Sequence, residues 1–381
     1  MSIRSQCYFI IPFTSDTDGS KLAESLRSST EWKHAQPAEN SEIFPSITER
    51  YFGNDRICNV LERITAPVSF YDITEPEREL SVSDIQLYIY QTGIHFAALC
   101  VEYSDTFSVR HVIQTNAALK YISTQRTERF RILNEPESSF SGTAFLTMLL
   151  KRMIPSAKPI TNKALICSFT LCAAEEINTE NNFHLATGNH FDFVYHPDIQ
   201  FREFYQSAEV IQGISREGIS RLVLDRGSDT YANPQNPYSL INSYRTQYLW
   251  IYILLLRQYF SFRAYNSDAL NLYEQNIKKH VFLGARRKLI RLKTESELFY
   301  LQNVHSDVSQ ITYQNMLYHI LYEIYHISAL IDDFNKDMDI CGNLLEKRTM
   351  NFKLLIIAVS SIIAALAEIF GLIADFSDTF G

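Results

Sequence analysis

The sequence lacks the cysteine patterns of a disulfide framework or a zinc site. Its six cysteines include no C-x-x-C pair and are spread along the chain, which is typical of free thiols in a reducing compartment. It also lacks an excess of positive charge, because the formal net charge is −8. This balance argues against a general nucleic-acid-binding protein.

Enzyme signatures are absent as well. The chain contains no G-x-S-x-G, no P-loop, no G-x-G-x-x-G and no H-E-x-x-H, so the main hydrolase, nucleotide and metalloprotease motifs are missing. Near the N-terminus, the apolar stretch around Pro12 is too short for a signal peptide. These absences predict a protein that is not an enzyme and holds no organic cofactor. Magnesium or another divalent cation is the only cofactor that the sequence leaves open.

What the sequence does contain is a long apolar run near its C-terminal end. Residues 354–374 form a stretch of 21 residues whose only charged side chain is Glu368. As a helix this run is about 30 Å long, which matches the hydrocarbon core of a bilayer. The sequence therefore predicts a membrane helix over residues 352–375. A buried core helix and a helix lying on the membrane surface are the two alternatives.

Charges on either side of the run predict its orientation. Lys347, Arg348 and Lys353 precede it, whereas Asp375 and Asp378 follow it. Basic residues are retained on the cytoplasmic side of a membrane. We therefore expect a single-pass protein of the cell membrane with its large N-terminal part in the cytoplasm.

The remaining chain predicts a mixed α/β region followed by long helices. Residues 84–90 and 94–103 read as a hairpin joined at Gln91-Thr92-Gly93. Residues 46–64 have helical spacing. Further strand-like and helical segments predict an α+β layer domain over residues 1–225, and a turn-rich loop over 227–237 ends it. A stalk of long helices, with the character of a coiled coil, is predicted over residues 238–350.

An apolar seam with 3-4 spacing lies in the second part of this stalk. It predicts one continuous helix from about residue 294 to 374 that assembles with other copies into a homo-oligomer. The alternative is a bundle within one chain, in which the helix over residues 238–280 covers the same seam. The seam begins with Leu317, Ile320, Ile324, Ile327, Ile331 and Phe334.

This order of elements resembles the CorA-type divalent-cation transporters. An α/β domain, long helices and a very long helix that enters the membrane follow one another in both. The family has a Gly-Met-Asn signature and a second membrane helix after the first, whereas this chain reads Phe370-Gly371-Leu372-Ile373 at the corresponding place, and residues 374–381 contain no second apolar run. The resemblance therefore implies the fold and a homo-oligomer rather than magnesium selectivity. Some CorA-like proteins are membrane effectors of antiviral defence, which the resemblance also leaves open.

Polar groups within the apolar run predict a cation path. Ser361, Glu368 and Asp375 follow one another at intervals of seven residues, and Ala365 permits close approach of helices on that side. In an oligomer this face would form rings of hydroxyl and carboxylate groups. Alternatively, Glu368 lies near the outer interface and the helix is only an anchor for an interaction protein.

Two charged clusters are candidate ligand sites. Asp333 and Asp337 are four residues apart on a predicted helix, so they repel unless a cation such as magnesium or a neighbouring subunit relieves them. A solvated acidic face is the simpler interpretation. The basic cluster could bind a nucleotide or another small anion, or pair with an acidic neighbouring domain. On an unbroken helix we expect it about 90 Å from the membrane. It contains Arg286, Arg287, Lys288 and Arg291.

Overall fold

The computed structural model describes most of the chain and divides it into two compact units. The described residues are 4–37, 41–53, 56–103, 107–122, 129–133, 144–190, 200–226, 236, 239–277 and 284–380, without the side chains of 348, 349, 352 and 366–380. Unit 1 comprises residues 1–261 and 305–326, and unit 2 comprises 262–304 and 327–381. The predicted 1–225 domain lies within unit 1, and the predicted stalk is divided between the two units.

Unit 1 is built on one sheet. Its strands follow the order β10-β11-β12-β9-β1-β6-β5-β3-β2, with β4 and β7 beside β5 and with β8 beside β1. Most neighbours are antiparallel, whereas β9 and β12 are parallel. The strands are β1 Arg4–Thr14, β2 Trp32–His34, β3 Cys58–Arg63, β4 Val68–Asp72, β5 Glu75–Tyr90, β6 His95–Tyr103, β7 Phe130–Ile132, β8 Lys158–Pro159, β9 Leu165–Cys172, β10 Phe201–Ser207, β11 Val210–Ser215 and β12 Gly218–Leu224.

The central strands are apolar because both of their faces are covered. Residues 7–11 of β1 are at most 1% exposed, which explains their continuous apolar sequence in place of an alternating one. The predicted hairpin is confirmed, since Tyr88 of β5 pairs with Phe96 of β6. Gly93 in its turn has a φ of 83°, a conformation that glycine adopts without a steric cost.

Five of the described helices lie between the strands in the sequence, and one of them corrects a prediction. They are α1 Gly19–Ser28, α2 Pro45–Phe52, α3 Val109–Leu119, α4 Phe145–Met153 and α5 Thr179–Thr187. The predicted helix over residues 46–64 is wrong in its second half, because α2 ends at Phe52 and β3 follows. Val60 and Leu61 are buried where β3 pairs with β5. This long-range pairing outweighs the local helical spacing.

Helices form the rest of the described chain, so the α+β region followed by helices is confirmed. They are α6 Leu240–Ser243, α7 Leu249–Leu272, α8 Ala285–Asn303, α9 Thr312–Ile324 and α10 Ile327–Phe380, with π-helical turns at Tyr244–Tyr248 and Tyr273–Ile277 on either side of α7.

The predicted continuous helix from residue 294 to 374 is wrong. It is interrupted between α8 and α9, where the backbone of Val308 accepts a hydrogen bond from Phe44 N at 3.1 Å and Ser309 Oγ donates to Glu42 O at 2.9 Å. A second interruption lies at His326, whose φ of 53° ends the helical path between α9 and α10. The single helix that was predicted therefore consists of three separate helices, α8, α9 and α10.

Unit 2 is a bundle of the last part of α7 with α8 and α10. Leu272, Ala285, Cys341 and Leu345 form one packing cluster. A second cluster contains Ala269, Leu292, Phe334 and Met338. Since the start of α8 packs near Leu345 and its middle near Phe334, α8 runs antiparallel to α10.

Candidate functional site

The segment of α10 at residues 354–365 exposes apolar side chains on all sides. Seven large aliphatic residues between 354 and 363 are 48–61% exposed. Because successive helical residues are rotated by about 100°, consecutive exposed residues cover the whole circumference. An apolar patch of this extent is unusual on the surface of a soluble monomer. Among the described residues, no helix is long and apolar enough to cross a membrane.

The hydroxyl groups in this segment are satisfied by the helix itself. Ser361 Oγ donates to Ile357 O at 2.8 Å, and Ser360 Oγ donates to Ile356 O at 2.6 Å. Ala365 is exposed. Glu368 and Asp375 lie in the helical backbone, but their side chains are outside the described residues, so the predicted cation-path face stays a prediction.

The basic cluster of α8 lies beside the end of the bundle that leads into the apolar segment. Ala285, next to Arg286, packs in the same cluster as Leu345 of α10. The expected distance of about 90 Å from the apolar run is therefore wrong, because the chain folds back between α8 and α10. Arg286, Arg287, Lys288 and Arg291 are all exposed.

A cavity of about 660 Å³ opens between α8 and α10 at this end of the bundle. Arg286 and Lys293 of α8 and Lys353 of α10 line it, together with the carboxylates of Asp339 and Glu346. Among the ion pairs of the described residues, none involves any of these five side chains. The cavity thus presents charged groups that have no ionic partner among the residues that the structure describes.

The other predicted basic residues, Arg287, Lys288 and Arg291, do not line this cavity. Lys288 and Arg291 line a second depression of about 300 Å³ with Asp268 and Glu295. There Arg291 Nε contacts Glu295 Oε1 at 2.7 Å, so its charge is compensated. Arg287 lines neither depression. Within the predicted cluster, Arg291 is therefore paired. The described residues show no ion pair for Arg286, Arg287 or Lys288.

Asp333 and Asp337 lie on the exposed side of α10. Asp337 lines a small apolar depression with Ile340 and Cys341. Burial of the Cys341 thiol raises its pKa above the usual value, and the nearby Asp337 carboxylate raises it further. Among the described residues, no three histidine, cysteine, aspartate or glutamate side chains are grouped as they would be around a metal ion.

The predicted seam is mostly covered within the chain. Leu317 and Ile324 of α9 are buried in unit 1, and Ile327 and Phe334 of α10 are buried in unit 2. Ile320 and Ile331 are half-buried. In unit 2 the covering residues include Ala269 of α7, as the alternative of an intramolecular bundle requires. Whether copies also associate stays a prediction.

Unit 1 contains half-buried and buried ionic pairs that the sequence did not reveal. Arg245 Nε donates to Asp84 Oδ2 at 2.9 Å, and Arg245 Nη2 donates to Asp84 Oδ1 at 3.1 Å. Lys120 Nζ, almost fully buried, contacts Glu217 Oε2 at 2.6 Å. Burial raises the pKa of Glu217, but Lys120 and Lys163 outweigh this effect and hold it below its usual value. These pairs satisfy one another and are structural.

Arg221 of β12 is a further buried cation. It is 2% exposed, its guanidinium lies 4.6 Å from the centre of the Tyr248 ring, and it donates to Gln206 Oε1. Its Nε and Nη1 atoms have no hydrogen-bond partner in the described part of the chain. The stacking on Tyr248 supplies part of the missing compensation. No periodicity in the sequence distinguishes this arginine from an exposed one.

No protein-family model, curated protein or solved structure matches this chain at a significant level. The resemblance to the CorA-type transporters therefore stays a prediction that rests on the order of the elements.

Proposed function

We propose that this protein is a membrane-attached homo-oligomer of CorA-like organisation, in which residues 354–374 insert into a bilayer. The observation that carries this proposal is the helix segment at 354–365, whose apolar side chains are exposed around the whole circumference. In unit 2, apolar residues of the same helix before residue 346 are covered by α7 and α8. The later ones require a covering that lies outside the described chain.

The free energy of such a covering is large. Burial of one large aliphatic side chain stabilises by about 1.5–3 kcal/mol. Seven half-exposed side chains of this kind therefore correspond to roughly 5–10 kcal/mol. The self-bonded hydroxyls of Ser360 and Ser361 suit a bilayer, because an unpaired hydroxyl is costly in hydrocarbon.

The charges at this end of the bundle support a cytoplasmic body. Arg286, Lys293 and Lys353 line the cavity of unit 2 that lies at the start of the apolar segment. Basic residues next to a membrane helix favour the cytoplasmic side, and each contributes about 1 kcal/mol of attraction to an anionic leaflet. The large N-terminal region would then be placed to receive a soluble ligand.

A cation path is the activity that we propose for the assembled helices. Ser361, Ala365, Glu368 and Asp375 would line it, as the CorA-like resemblance and their shared helix face imply. The second candidate function is a membrane-tethered interaction protein. Coverage of Ile327 and Phe334 within the chain favours this second candidate, because it removes part of the surface that was expected to hold the copies together.

Flotation with lipid vesicles tests the insertion. Replacing Ile357 and Ile362 by aspartate places charges in the apolar segment, each costing about 2.5–3.5 kcal/mol at membrane depth. We expect the wild type to float with phosphatidylcholine vesicles and the double variant to stay at the bottom. Leu270→Asp with Leu298→Asp is the matched control, because these residues are equally exposed in unit 2 but lie outside the run. A double variant that floats like the wild type refutes the insertion.

Ion flux through the reconstituted protein separates the two functions. Glu368→Ala should lower cation flux, because it removes a carboxylate ring from the proposed path. Ser360→Ala, one residue away from the path face, is the control and should retain flux. Flotation without flux under any ionic condition would leave the anchor as the function.

A further inference from the structure

The cavity between α8 and α10 is contiguous with the proposed membrane segment. Its lining on α10 includes Met338, Gly342, Glu346, Met350 and Lys353. These residues recur every three or four positions, so they form one stripe along the helix. The stripe ends at Lys353, immediately before the first residue of the apolar run. A molecule in this cavity can therefore extend along the helix towards the bilayer.

The charges in the cavity are not balanced. Arg286, Lys293 and Lys353 face Asp339 and Glu346, which gives a net charge of +1. By contrast, the second depression holds two basic and two acidic residues, and Arg291 is paired with Glu295. Of these two cavities, only the first would be neutralised by a ligand with one negative charge.

The cavity also has an apolar floor. Leu289 and Ile290 of α8 and Leu345 of α10 line it together with the two methionines. Gly342 adds no side chain, and a Cβ at this position would meet only Leu289 Cδ2 at 3.9 Å. A volume of about 660 Å³ lies in the range of small-molecule sites. The ligand that fits has one negative charge, hydrogen-bond donors and an apolar part.

We propose that this cavity binds the head group of a monoanionic phospholipid with hydroxyl groups, of the phosphatidylglycerol type. Arg286, Lys293 and Lys353 would bind the phosphodiester, as basic side chains commonly do. Asp339 and Glu346 would accept hydrogen bonds from the hydroxyl groups, and the apolar floor would contact the glyceryl esters. This inference rests on the proposed membrane attachment, which selects a lipid over a free phosphate as the source of the ligand.

Thermal melting of the full-length protein in neutral detergent tests the site. Phosphatidylglycerol should raise the Tm in a saturable manner, because ligand binding stabilises the folded state. Phosphatidylcholine lacks the net charge and the hydroxyl groups, and glycerol phosphate lacks the apolar part, so neither should match the shift at equal concentration. An equal shift with glycerol phosphate would overturn the lipid as the source, and an equal shift with phosphatidylcholine would overturn the head-group site.

Charge variants separate a built site from general attraction. Arg286→Gln with Lys353→Gln should weaken the apparent affinity for phosphatidylglycerol about tenfold or more, as expected for loss of two charge-assisted contacts. Arg287→Gln with Lys347→Gln removes the same charge from residues that do not line the cavity and should retain the affinity. Equal losses in both variants would overturn the site in favour of diffuse electrostatics.

A third variant blocks the cavity without changing its charge. Gly342→Leu should fill the space beside Leu289 and abolish the phosphatidylglycerol shift, while its helix propensity supports folding. An unchanged shift overturns the site. Flotation on pure phosphatidylcholine reports the membrane attachment alone, so wild-type protein that floats but shows no phosphatidylglycerol-dependent shift refutes the head-group site and leaves the proposed function intact.

Discussion

Both halves of α10 contain many apolar residues, but the surroundings of these residues are opposite. Between residues 327 and 345, apolar residues such as Phe334, Met338 and Cys341 form one stripe and are at most 5% exposed. Between 354 and 363, the aliphatic residues are at least 48% exposed and occur on every side. The first half has an acidic outer face that contains Asp333 and Asp337, whereas residues 354–363 have no charged side chain and no polar face.

This difference shows what each pattern requires. A stripe with 3-4 spacing can be covered by two neighbouring helices, and α7 and α8 do so within unit 2. A helix that is apolar all round requires a surrounding apolar medium or several partners. A substitution in the first half should therefore change the stability of unit 2, whereas a substitution at residues 354–363 should change it little.

The largest expected difference is in the cost of truncating a core residue. Phe334→Ala should lower the free energy of unfolding by about 3–5 kcal/mol, because it leaves a cavity in a buried cluster. Ile362→Ala should change it by less than about 0.5 kcal/mol, because Ile362 is 59% exposed. Denaturant unfolding of the full-length protein in detergent measures both. Similar costs would show that the second half is also packed against protein.

The rate of thiol labelling should differ by about two orders of magnitude between a cysteine in the first half of α10 and one in the exposed segment. This ratio is expected if local opening of the first half costs about 2.7 kcal/mol. All six native cysteines are buried, so a water-soluble maleimide should react slowly with Cys341. A cysteine introduced by Val359→Cys should react rapidly in buffer without detergent or lipid, and slowly in vesicles, where lipid covers it.

The pH dependence of labelling sharpens the same comparison. Burial and Asp337 raise the pKa of Cys341, so at a given pH a smaller fraction is thiolate, the reactive form. After denaturation this pKa returns to its usual value. The rate at Cys341 in the folded protein should therefore rise at higher pH than the rate in the unfolded chain. Coincident pH profiles would contradict this expectation.

A smaller effect is expected at the start of α10. His326 has a φ of 53°, and a non-glycine residue in this region costs about 1–2 kcal/mol. His326→Gly should therefore raise the free energy of unfolding by up to about 1 kcal/mol. The variant also loses the exposed contact of His326 Nε2 with Gln200 Nε2 at 2.8 Å, which reduces this gain. His326→Ala, which loses the contact and keeps the strain, is the control and should be destabilised. If His326→Ala were instead more stable than His326→Gly, α9 and α10 could join into a continuous helix at this position.

The smallest effect is expected at the acidic face of the first half. Asp333→Asn with Asp337→Asn should stabilise unit 2 by about 0.2–0.5 kcal/mol at low salt, because like charges four residues apart repel. Asp332→Asn is the control, since Lys336 lies four residues after it. This spacing favours opposite charges, so the variant should not be stabilised. If magnesium stabilises the wild type by much more than this and leaves the double variant unaffected, the acidic pair is a cation sensor.

The sequence predicted the elements whose patterns are local. The hairpin of β5 and β6 was evident from two apolar runs joined at Gly93, and the apolar run from residue 354 was evident from its length. The buried stripe from Leu317 to Phe334 was recognised by spacing. Periodicity identifies such elements because each depends on the geometry of a few consecutive turns or on alternation along a strand.

The candidate site could be predicted only in part. The basic residues of α8 were recognised by composition, but Lys293, Asp339 and Glu346 were not identified as lining a common cavity. The sequence also did not show that Arg291 would pair with Glu295, or that Arg286 would have no ion pair among the described residues. Such distinctions depend on which helices are adjacent.

By itself, the sequence determined the α+β region, the helices that follow it and the apolar segment near the C-terminal end, because these follow from composition and period. Only the tertiary structure decided where the long helices break. Pairing of Val308 and Ser309 with the segment at Glu42 and Phe44, together with the left-handed backbone at His326, folds the chain back. As a result Arg286 lies beside Glu346 and Lys353. Contacts between residues far apart in sequence produce this arrangement, and no local pattern encodes them.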